Sequence, residues 1–139
     1  MVTTAINTSL IDLLPNDINR IYETAAPFPS IYNEEQAIGI AECGKIEIDF
    51  IPLRKINGIL VKADKYYIIV NSTLSEPERT KAILHEIGHY IMHYDNRFTS
   101  SIYCHQDLVN QIEKEADFFA WILMDDYIKE RCGWNFFIL

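Results

Sequence analysis

The stretch that decides the fold is SEPERTKAILHEIGHYIMHY, residues 75–94. Ser75 and Glu78 fit the S-x-x-E capping box of a helix start, and Pro77 falls in the first turn, where its missing N–H costs nothing. Four apolar residues then form a stripe at helical spacing: Ile83, Leu84, Ile87 and Ile91. The pattern predicts an amphipathic helix from Ser75 to about Tyr94.

The middle of this helix contains the pattern H-E-x-x-H at residues 85–89. Residues four apart lie on one face of a helix, so His85 and His89 can bind the same Zn²⁺ ion. Glu86 is not placed to be a third ligand, but it can reach a water molecule in the site and act as a general base. The alternative interpretation is a chance pair of helical histidines that face solvent.

His93 continues the four-residue spacing of His85 and His89. A straight helix rises about 6 Å over four residues, which takes His93 too far along the axis to share the metal comfortably. A three-histidine site of the H-E-x-x-H-x-x-G-x-x-H type also needs a glycine that this sequence lacks. We therefore predict that His93 supports the site through hydrogen bonds and is not a ligand.

A second long helix is predicted from about Gln106 to Arg131, with Gly133 as its stop. Its apolar side carries Leu108, Ile112, Ala116, Phe119 and Leu123. A catalytic zinc site needs a third protein ligand and an open position, and residues 113–117 of this helix are rich in carboxylates. Position 113 lies 24 residues after His89, which leaves room for a loop and an antiparallel return.

Glu113 and Asp117 share one face of this helix, where the small side chain of Ala116 would allow close approach to its neighbour. We predict Glu113 as a metal ligand and Asp117 as the acceptor for an imidazole N–H of His85 or His89. Glu115 points about 200° away from Glu113 and is predicted to be a solvated charge. The alternative is that the whole acidic group is a plain surface face.

The rest of the chain predicts an α+β fold. Residues from about Ile6 to Thr24 have helical spacing that Pro15 interrupts, and a second helix is expected from Asn33 to Glu42. Three β-rich runs follow: Lys45–Ile51, Gly58–Lys62 and Tyr66–Asn71. Residues 63–65 suit a hairpin turn. We predict one domain over residues 1–139, in which a small, mainly antiparallel three-stranded sheet packs against the metal helix and further helices.

Composition narrows the class of protein. The chain has 139 residues, with 12 basic against 20 acidic side chains and a net charge of −8. Phosphate contacts need a basic face, so this balance argues against direct binding of nucleic acid. The sequence has no run of about 18 apolar residues, so no membrane span is predicted, and its first residues do not resemble a secretion signal. Three cysteines without a C-x-x-C pair favour a reducing cytoplasm: Cys43, Cys104 and Cys132.

Two motifs of the chain occur together: RTKAILHEIGHY at residues 79–90 and E-x-x-A-D-x-F-A-x-x-L-M at residues 113–124. A strand-like YIIVN at residues 67–71 precedes them. Together these segments resemble the ImmA/IrrE metallopeptidase family, over most of the chain from about Ile46 to Met124. The family often has a proline after the L-L-M run, where this chain has Asp125.

The resemblance implies a gluzincin-like site in which His85, His89 and Glu113 bind zinc and Glu86 is the catalytic base. It also implies a cytoplasmic protease whose usual substrate is a helix-turn-helix repressor, often encoded on a phage or another mobile element. We therefore favour a zinc-dependent endopeptidase that acts as an anti-repressor. The alternative is a non-catalytic protein that binds and sequesters its repressor, in which Glu86 would have no use.

Two features of substrate binding are expectations from the sequence. An extended substrate segment is expected to add to the edge of the sheet at Tyr66–Asn71, because main-chain pairing holds a peptide in a fixed register. The group that stabilises the oxyanion is left open between a tyrosine and His105. The oligomeric state and the role of the apolar segment after Gly133 are also left open.

Overall fold

The computed structural model describes Leu13, residues 15–93 and residues 106–134, and at residues 106–108 it describes the backbone alone. Within these ranges the chain forms five helices: α1 (Pro15–Ala25), α2 (Glu34–Cys43), α3 (Glu76–Met92), α4 (Gln106–Leu123) and α5 (Asp126–Cys132). It also forms three strands: β1 (Ile46–Ile51), β2 (Gly58–Lys62) and β3 (Tyr66–Asn71). The predicted α+β class is confirmed. None of the helices in these ranges has the length and apolar character that crossing a bilayer requires.

The two helices before the sheet agree with the sequence-based prediction where they are described. α1 begins at Pro15, and the part of the predicted first helix before that residue lies outside the described residues, apart from Leu13. α2 is capped by Asn33, whose Oδ1 accepts the backbone N–H of Gln36 at 2.9 Å. This bond satisfies one of the amides that a helix start leaves without an intrahelical partner.

The sheet has the order β1-β3-β2, so β3 is its central strand. β2 and β3 form the predicted antiparallel hairpin, in which the N–H of Ala63 donates to the carbonyl of Lys65 at 2.8 Å. β1 pairs with β3 in parallel, with Ile46 opposite Tyr66. The sheet is therefore mixed, and the antiparallel orientation predicted for β1 was wrong. The predicted open edge at Tyr66–Asn71 was also wrong, because β3 is paired on both sides.

The direction of β1 is set by the segment that leaves it. The apolar alternation along β1 identifies its buried face but carries no information about which way the strand runs. Residues 52–57 pass from β1 to β2 across the end of β3, and Asn71 holds them there. Its Oδ1 accepts the N–H of Leu53 and its Nδ2 donates to the carbonyl of Ile56, both at 3.2 Å. This buried amide holds the crossing segment at the end of the central strand.

The core lies between the sheet, α3 and α4. Ile68 and Val70 bring the buried face of β3 against α3. The apolar side chains that α3 and α4 contribute to the core are fully or almost fully buried: Ile83, Leu84, Ile87, Phe118, Phe119 and Ala120. Burial of each large apolar side chain contributes about 1.5–3 kcal/mol, so this layer holds α3 and α4 in a fixed relation.

The predicted long C-terminal helix is two helices in the structure. α4 ends at Leu123, because the segment that follows pairs with Ile31. The N–H of Ile31 donates to the carbonyl of Leu123 at 2.7 Å, and the N–H of Asp125 donates to the carbonyl of Ile31 at 2.8 Å. The side chain of Asp125 then caps α5 by accepting the N–H of Tyr127. Gly133, with φ of 64°, ends α5 as the predicted stop.

The start of α3 differs from the predicted capping box. Ser75 is the N-cap residue, but its side chain makes no capping hydrogen bond. The N–H of Arg79 donates to the carbonyl of Ser75 at 2.9 Å, and Pro77 lies in this first turn as predicted. Backbone geometry therefore starts the helix without help from the serine hydroxyl.

Arg79 joins the start of α3 to α2 through Glu34. Its Nε and Nη2 donate to the two carboxylate oxygens of Glu34 at 2.6 and 3.0 Å, and its Nη1 donates to the carbonyl of Leu74. The two side chains are 25% and 14% exposed. A two-pronged ion pair that is this shielded from water is stronger than a typical surface pair.

We expect Glu34→Ala to lower the free energy of unfolding by about 1.5–3 kcal/mol, because it leaves a half-buried guanidinium without its partner. The matched control is Glu47→Ala, since Glu47 pairs with Lys65 at 3.1 Å where both side chains are about half exposed. That control should cost less than about 1 kcal/mol. Urea denaturation measures both, and equal losses would contradict the expectation.

Gly88 lies where α3 comes closest to α4. A Cβ at this position would stand 3.0 Å from Cδ2 of Phe119 and 3.4 Å from Cα of Ala116. Both neighbours are fully buried, so neither can move into solvent. The glycine therefore sets how near the two helices can come.

Gly88→Ala should destabilise the fold, because overpacking of about 1–3 kcal/mol exceeds the gain of about 1 kcal/mol in helix propensity. Gly39→Ala is the matched control in α2, where an added Cβ meets nothing within 4 Å. The control should raise stability by about 0.5–1 kcal/mol. Thermal unfolding of the two variants measures the difference. A Gly88→Ala protein as stable as the control would show that the helices can separate without cost.

Candidate metal centre

Three side chains converge between α3 and α4. His85 and His89 lie one turn apart on α3, and their Nε2 atoms are 3.0 Å from each other. Glu113 on α4 places Oε2 3.0 Å from Nε2 of His85 and Oε1 2.8 Å from Nε2 of His89. The structure thus brings together the three residues that the sequence analysis predicted as metal ligands.

Asp117 lies one turn after Glu113 and contacts the other side of the same imidazole. Its Oδ1 is 2.7 Å from Nδ1 of His85. A carboxylate can only accept, so Nδ1 of His85 carries a proton, and Nε2, which faces His89 and Glu113, is the atom that would give its lone pair to a metal ion in place of a proton. Asp117 is therefore a hydrogen-bond acceptor as predicted, and its partner is His85.

The donor set fits a metal ion. Lone pairs of nitrogen and a carboxylate that face one another repel unless a positive charge lies between them. A tetrahedral zinc site with Zn–N bonds of about 2.0–2.1 Å would place its ligand atoms roughly 3.3 Å apart. The distances between the three donors here are 2.8–3.0 Å, so a small outward movement accommodates an ion.

The charges around His85 favour a cation in this position. Burial by itself would lower the pKa of His85, but its hydrogen bonds with Asp117 and Glu113 outweigh burial and raise the pKa to about 10. Burial would likewise raise the pKa of Glu113, but the hydrogen bonds with His85 and His89 hold it well below its usual range. The site therefore holds an ionised carboxylate at neutral pH, which favours a positive charge beside it.

Glu86 is buried at the wall of the site and is 7% exposed. Its Oε2 lies 3.9 Å from Nε2 of His85, beside the three donors and outside their group. Burial raises the pKa of its carboxyl group. Gly58 at the start of β2 lies next to it, since a Cβ there would be 3.5 Å from Cγ of Glu86, an ordinary contact distance. The arrangement suits proton transfer to and from a group bound in the site.

An open cleft of about 380 Å³ gives access to these residues. One wall is the crossing segment with Gly58, and the other is formed by α3 and α4 through His85, Glu86, Glu113 and Asp117. His85 and Glu113 therefore face this open space. Neither Gly58 nor the crossing segment was predicted from sequence, because nothing local to residues 52–58 shows that the chain folds back over α3.

His93 and Glu115 lie on the side of the histidines away from the cleft. Nδ1 of His93 is 3.0 Å from Nδ1 of His89, and Nε2 of His93 is 2.7 Å from Oε1 of Glu115. Burial lowers the pKa of His93, which favours the neutral imidazole. The structure places His93 in hydrogen bonds with His89 and Glu115, as its spacing predicted.

The prediction of a solvated charge at Glu115 was wrong, because its side chain is buried. It turns away from Glu113 as expected, but α1 covers that side and Arg20 reaches Glu115 at 3.1 Å. Burial alone would raise the pKa of Glu115, but hydrogen bonds with His93 and Gln111 lower it to about 2. Helical geometry gives the direction of a side chain and does not tell which element packs there. Cys104 and His105 lie outside the described residues.

The comparisons with known proteins bear on this site directly. A family model of the IrrE N-terminal-like domain, a peptidase family, matches residues 41–128. The chain belongs to this family. The IrrE N-terminal-like region takes in all three strands, α3 and α4, and so includes each of the three donors and Glu86. The resemblance to ImmA/IrrE metallopeptidases is thereby confirmed. A search of curated proteins finds no significant match.

Glu113→Ala should weaken metal binding by more than the roughly 100-fold that loss of an outer hydrogen-bond partner can cost, because it removes a donor from the group of three. Asp117→Ala should weaken it by about 10–100-fold, since the imidazole of His85 loses its orienting partner. Glu42→Ala, an exposed carboxylate on α2, is the control and should leave affinity unchanged. Competition with a chromogenic chelator measures all three. Equal affinity in Glu113→Ala and the control would exclude Glu113 as a ligand.

Proposed function

We propose that this chain is a zinc-dependent endopeptidase. The observation that carries the proposal is the position of Glu86, a buried carboxyl group beside the three donors and at the wall of an open cleft. A metal site with a purely structural role is closed and has no use for such a group. Membership of a peptidase family supports the same conclusion.

The proposed reaction needs few residues of the protein. When bound by His85, His89 and Glu113, zinc would polarise a peptide carbonyl and make a nearby water molecule more acidic. Glu86 accepts a proton from that water as its oxygen attacks the carbonyl carbon. Glu86 then gives the proton to the nitrogen of the leaving amine. Its raised pKa lets the carboxyl group hold the proton between the two steps.

We expect an extended substrate segment to add to the outer edge of β2, since β3 is paired on both sides. The N–H of Asn71 donates to the carbonyl of Asn57, and bonded pairs alternate along an antiparallel ladder. The backbone groups of Gly58 and Leu60 therefore point away from β3. Among the described residues no strand pairs with this edge, and Gly58 lines the cleft with Glu86. A peptide added there would be held extended, with its carbonyls passing the donors.

We further propose that the substrate is a helix-turn-helix repressor in the cytoplasm, encoded on a phage or another mobile element. This follows from the ImmA/IrrE resemblance, in which the protease acts as an anti-repressor. The net charge of −8 supports action on the repressor protein and not on its operator DNA.

Glu86→Gln should retain metal and lose peptidase activity by roughly 10²–10⁴-fold, because an amide cannot accept the proton from water. The probe is the helix-turn-helix protein encoded nearest to the gene of this chain, incubated with the zinc-loaded protein and analysed by mass spectrometry. Glu76→Gln is the matched control, an exposed glutamate at the start of the same helix. It should cleave at the rate of the unaltered chain.

Two results would overturn the proposal in different ways. Cleavage by Glu86→Gln at the unaltered rate would remove Glu86 from the mechanism. If the unaltered chain and Glu86→Gln both release the repressor from its operator and neither cleaves it, the result would favour the alternative of a sequestering protein.

A further inference from the structure

A line of buried polar contacts leads from His89 away from the cleft to α1. Nδ1 of His89 meets Nδ1 of His93 at 3.0 Å, and Nε2 of His93 meets Oε1 of Glu115 at 2.7 Å. Oε2 of Glu115 then meets Arg20 at 3.1 Å. The side chains of His93 and Glu115 are 7% and 8% exposed. Three helices are joined by these contacts, and water has little access to the middle of the line.

When Nε2 of His89 binds a metal ion, each hydrogen in this line has one consistent position. The ionised carboxylate of Glu115 can only accept, so Nε2 of His93 carries a proton and donates it. Nδ1 of a neutral His93 is then an acceptor, and the proton between the two imidazoles belongs to Nδ1 of His89. Nε2 of His89 is left with a free lone pair, and this is the atom that faces Glu113 and His85.

Both carboxylate oxygens of Glu115 have hydrogen-bonding partners. Its Oε1 is occupied by His93, while Oε2 accepts from Nε2 of Gln111 at 2.9 Å and from Arg20. Arg20 also lies 3.5 Å from Asp17 on its own helix. The positive charge of Arg20 offsets the cost of burying the carboxylate, which leaves a carboxylate fixed in position and in charge.

We propose that His93 and Glu115 are positioning residues that fix the tautomer and the ring orientation of His89, with Arg20 of α1 holding Glu115. This rests on the metal site of the proposed function. The two histidine ligands are thus oriented differently. His85 is oriented directly by Asp117, whose side chain is 35% exposed, whereas His89 is oriented through a second imidazole by a carboxylate inside the protein.

The test is metal affinity in variants of His93, measured by competition of zinc with a chromogenic chelator. His93→Phe keeps a ring of similar size but removes the acceptor, and it should weaken zinc binding by about 10–100-fold. His93→Asn can place an amide oxygen near the position of the lost Nδ1, and it should recover part of this loss. The control Glu34→Ala breaks a shielded ion pair that does not touch the site, and it should lower stability without changing zinc affinity.

A second measurement reads the tautomers directly in the unaltered chain. Long-range ¹H–¹⁵N spectra of the zinc-loaded protein, labelled at histidine, should show a proton on Nδ1 of His89 and on Nε2 of His93. This readout requires no variant to fold. The opposite tautomer at His93 would overturn the proposal even if His93→Phe is unstable.

The two proposals fail in distinguishable ways. Zinc affinity in a folded His93→Phe protein equal to that of the unaltered chain would overturn the positioning role and leave the peptidase intact. A tenfold or larger loss of affinity, with no peptide cleaved by the unaltered chain, would support the positioning role and overturn the peptidase. An unaltered chain that binds no zinc would overturn both.

Discussion

The close approach of α3 to α4 is the constraint on which the site depends. The two imidazoles and Glu113 belong to different helices, and they meet because Gly88 lets the ring of Phe119 lie directly against the backbone of α3. Metal sites tolerate ligand distances within about 0.2 Å of the ideal values, which is less than the size of a methyl group. The packing between α3 and α4 and the positions of the three donors are therefore coupled in this molecule. A substitution that alters this packing also moves the donors.

The parts of the molecule that sequence predicts well are those set by neighbours along the chain. The H-E-x-x-H spacing, the apolar stripe of α3 and the face shared by Glu113 and Asp117 all follow from one helix geometry. For that reason the three donors and Asp117 meet in the structure at the positions that their spacing indicates. The hairpin of β2 and β3 is local in the same sense, and its turn was identified from three residues.

The parts that sequence missed are those decided by a distant segment. The helix break after Leu123 is caused by Ile31, which lies more than ninety residues earlier. Glu115 is buried because Arg20 and α1 cover it. β1 runs parallel to β3 because Asn71 holds the crossing segment. None of these partners leaves a periodic signal near the residue it affects. Of the carboxylates at residues 113–117, Glu113 and Asp117 accordingly face the cleft, whereas Glu115 faces the interior.

The central position of β3 has a consequence for how the site can open. Amides in a strand that is paired on both sides exchange with solvent only through large opening events, and β3 leads into α3 after four residues. The two histidines on α3 are 14% and 13% exposed, whereas the side chain of Glu113 on α4 is 51% exposed. Of the three donors, Glu113 is therefore the one most open to solvent, and an ion that exchanged with solvent would do so on its side of the site.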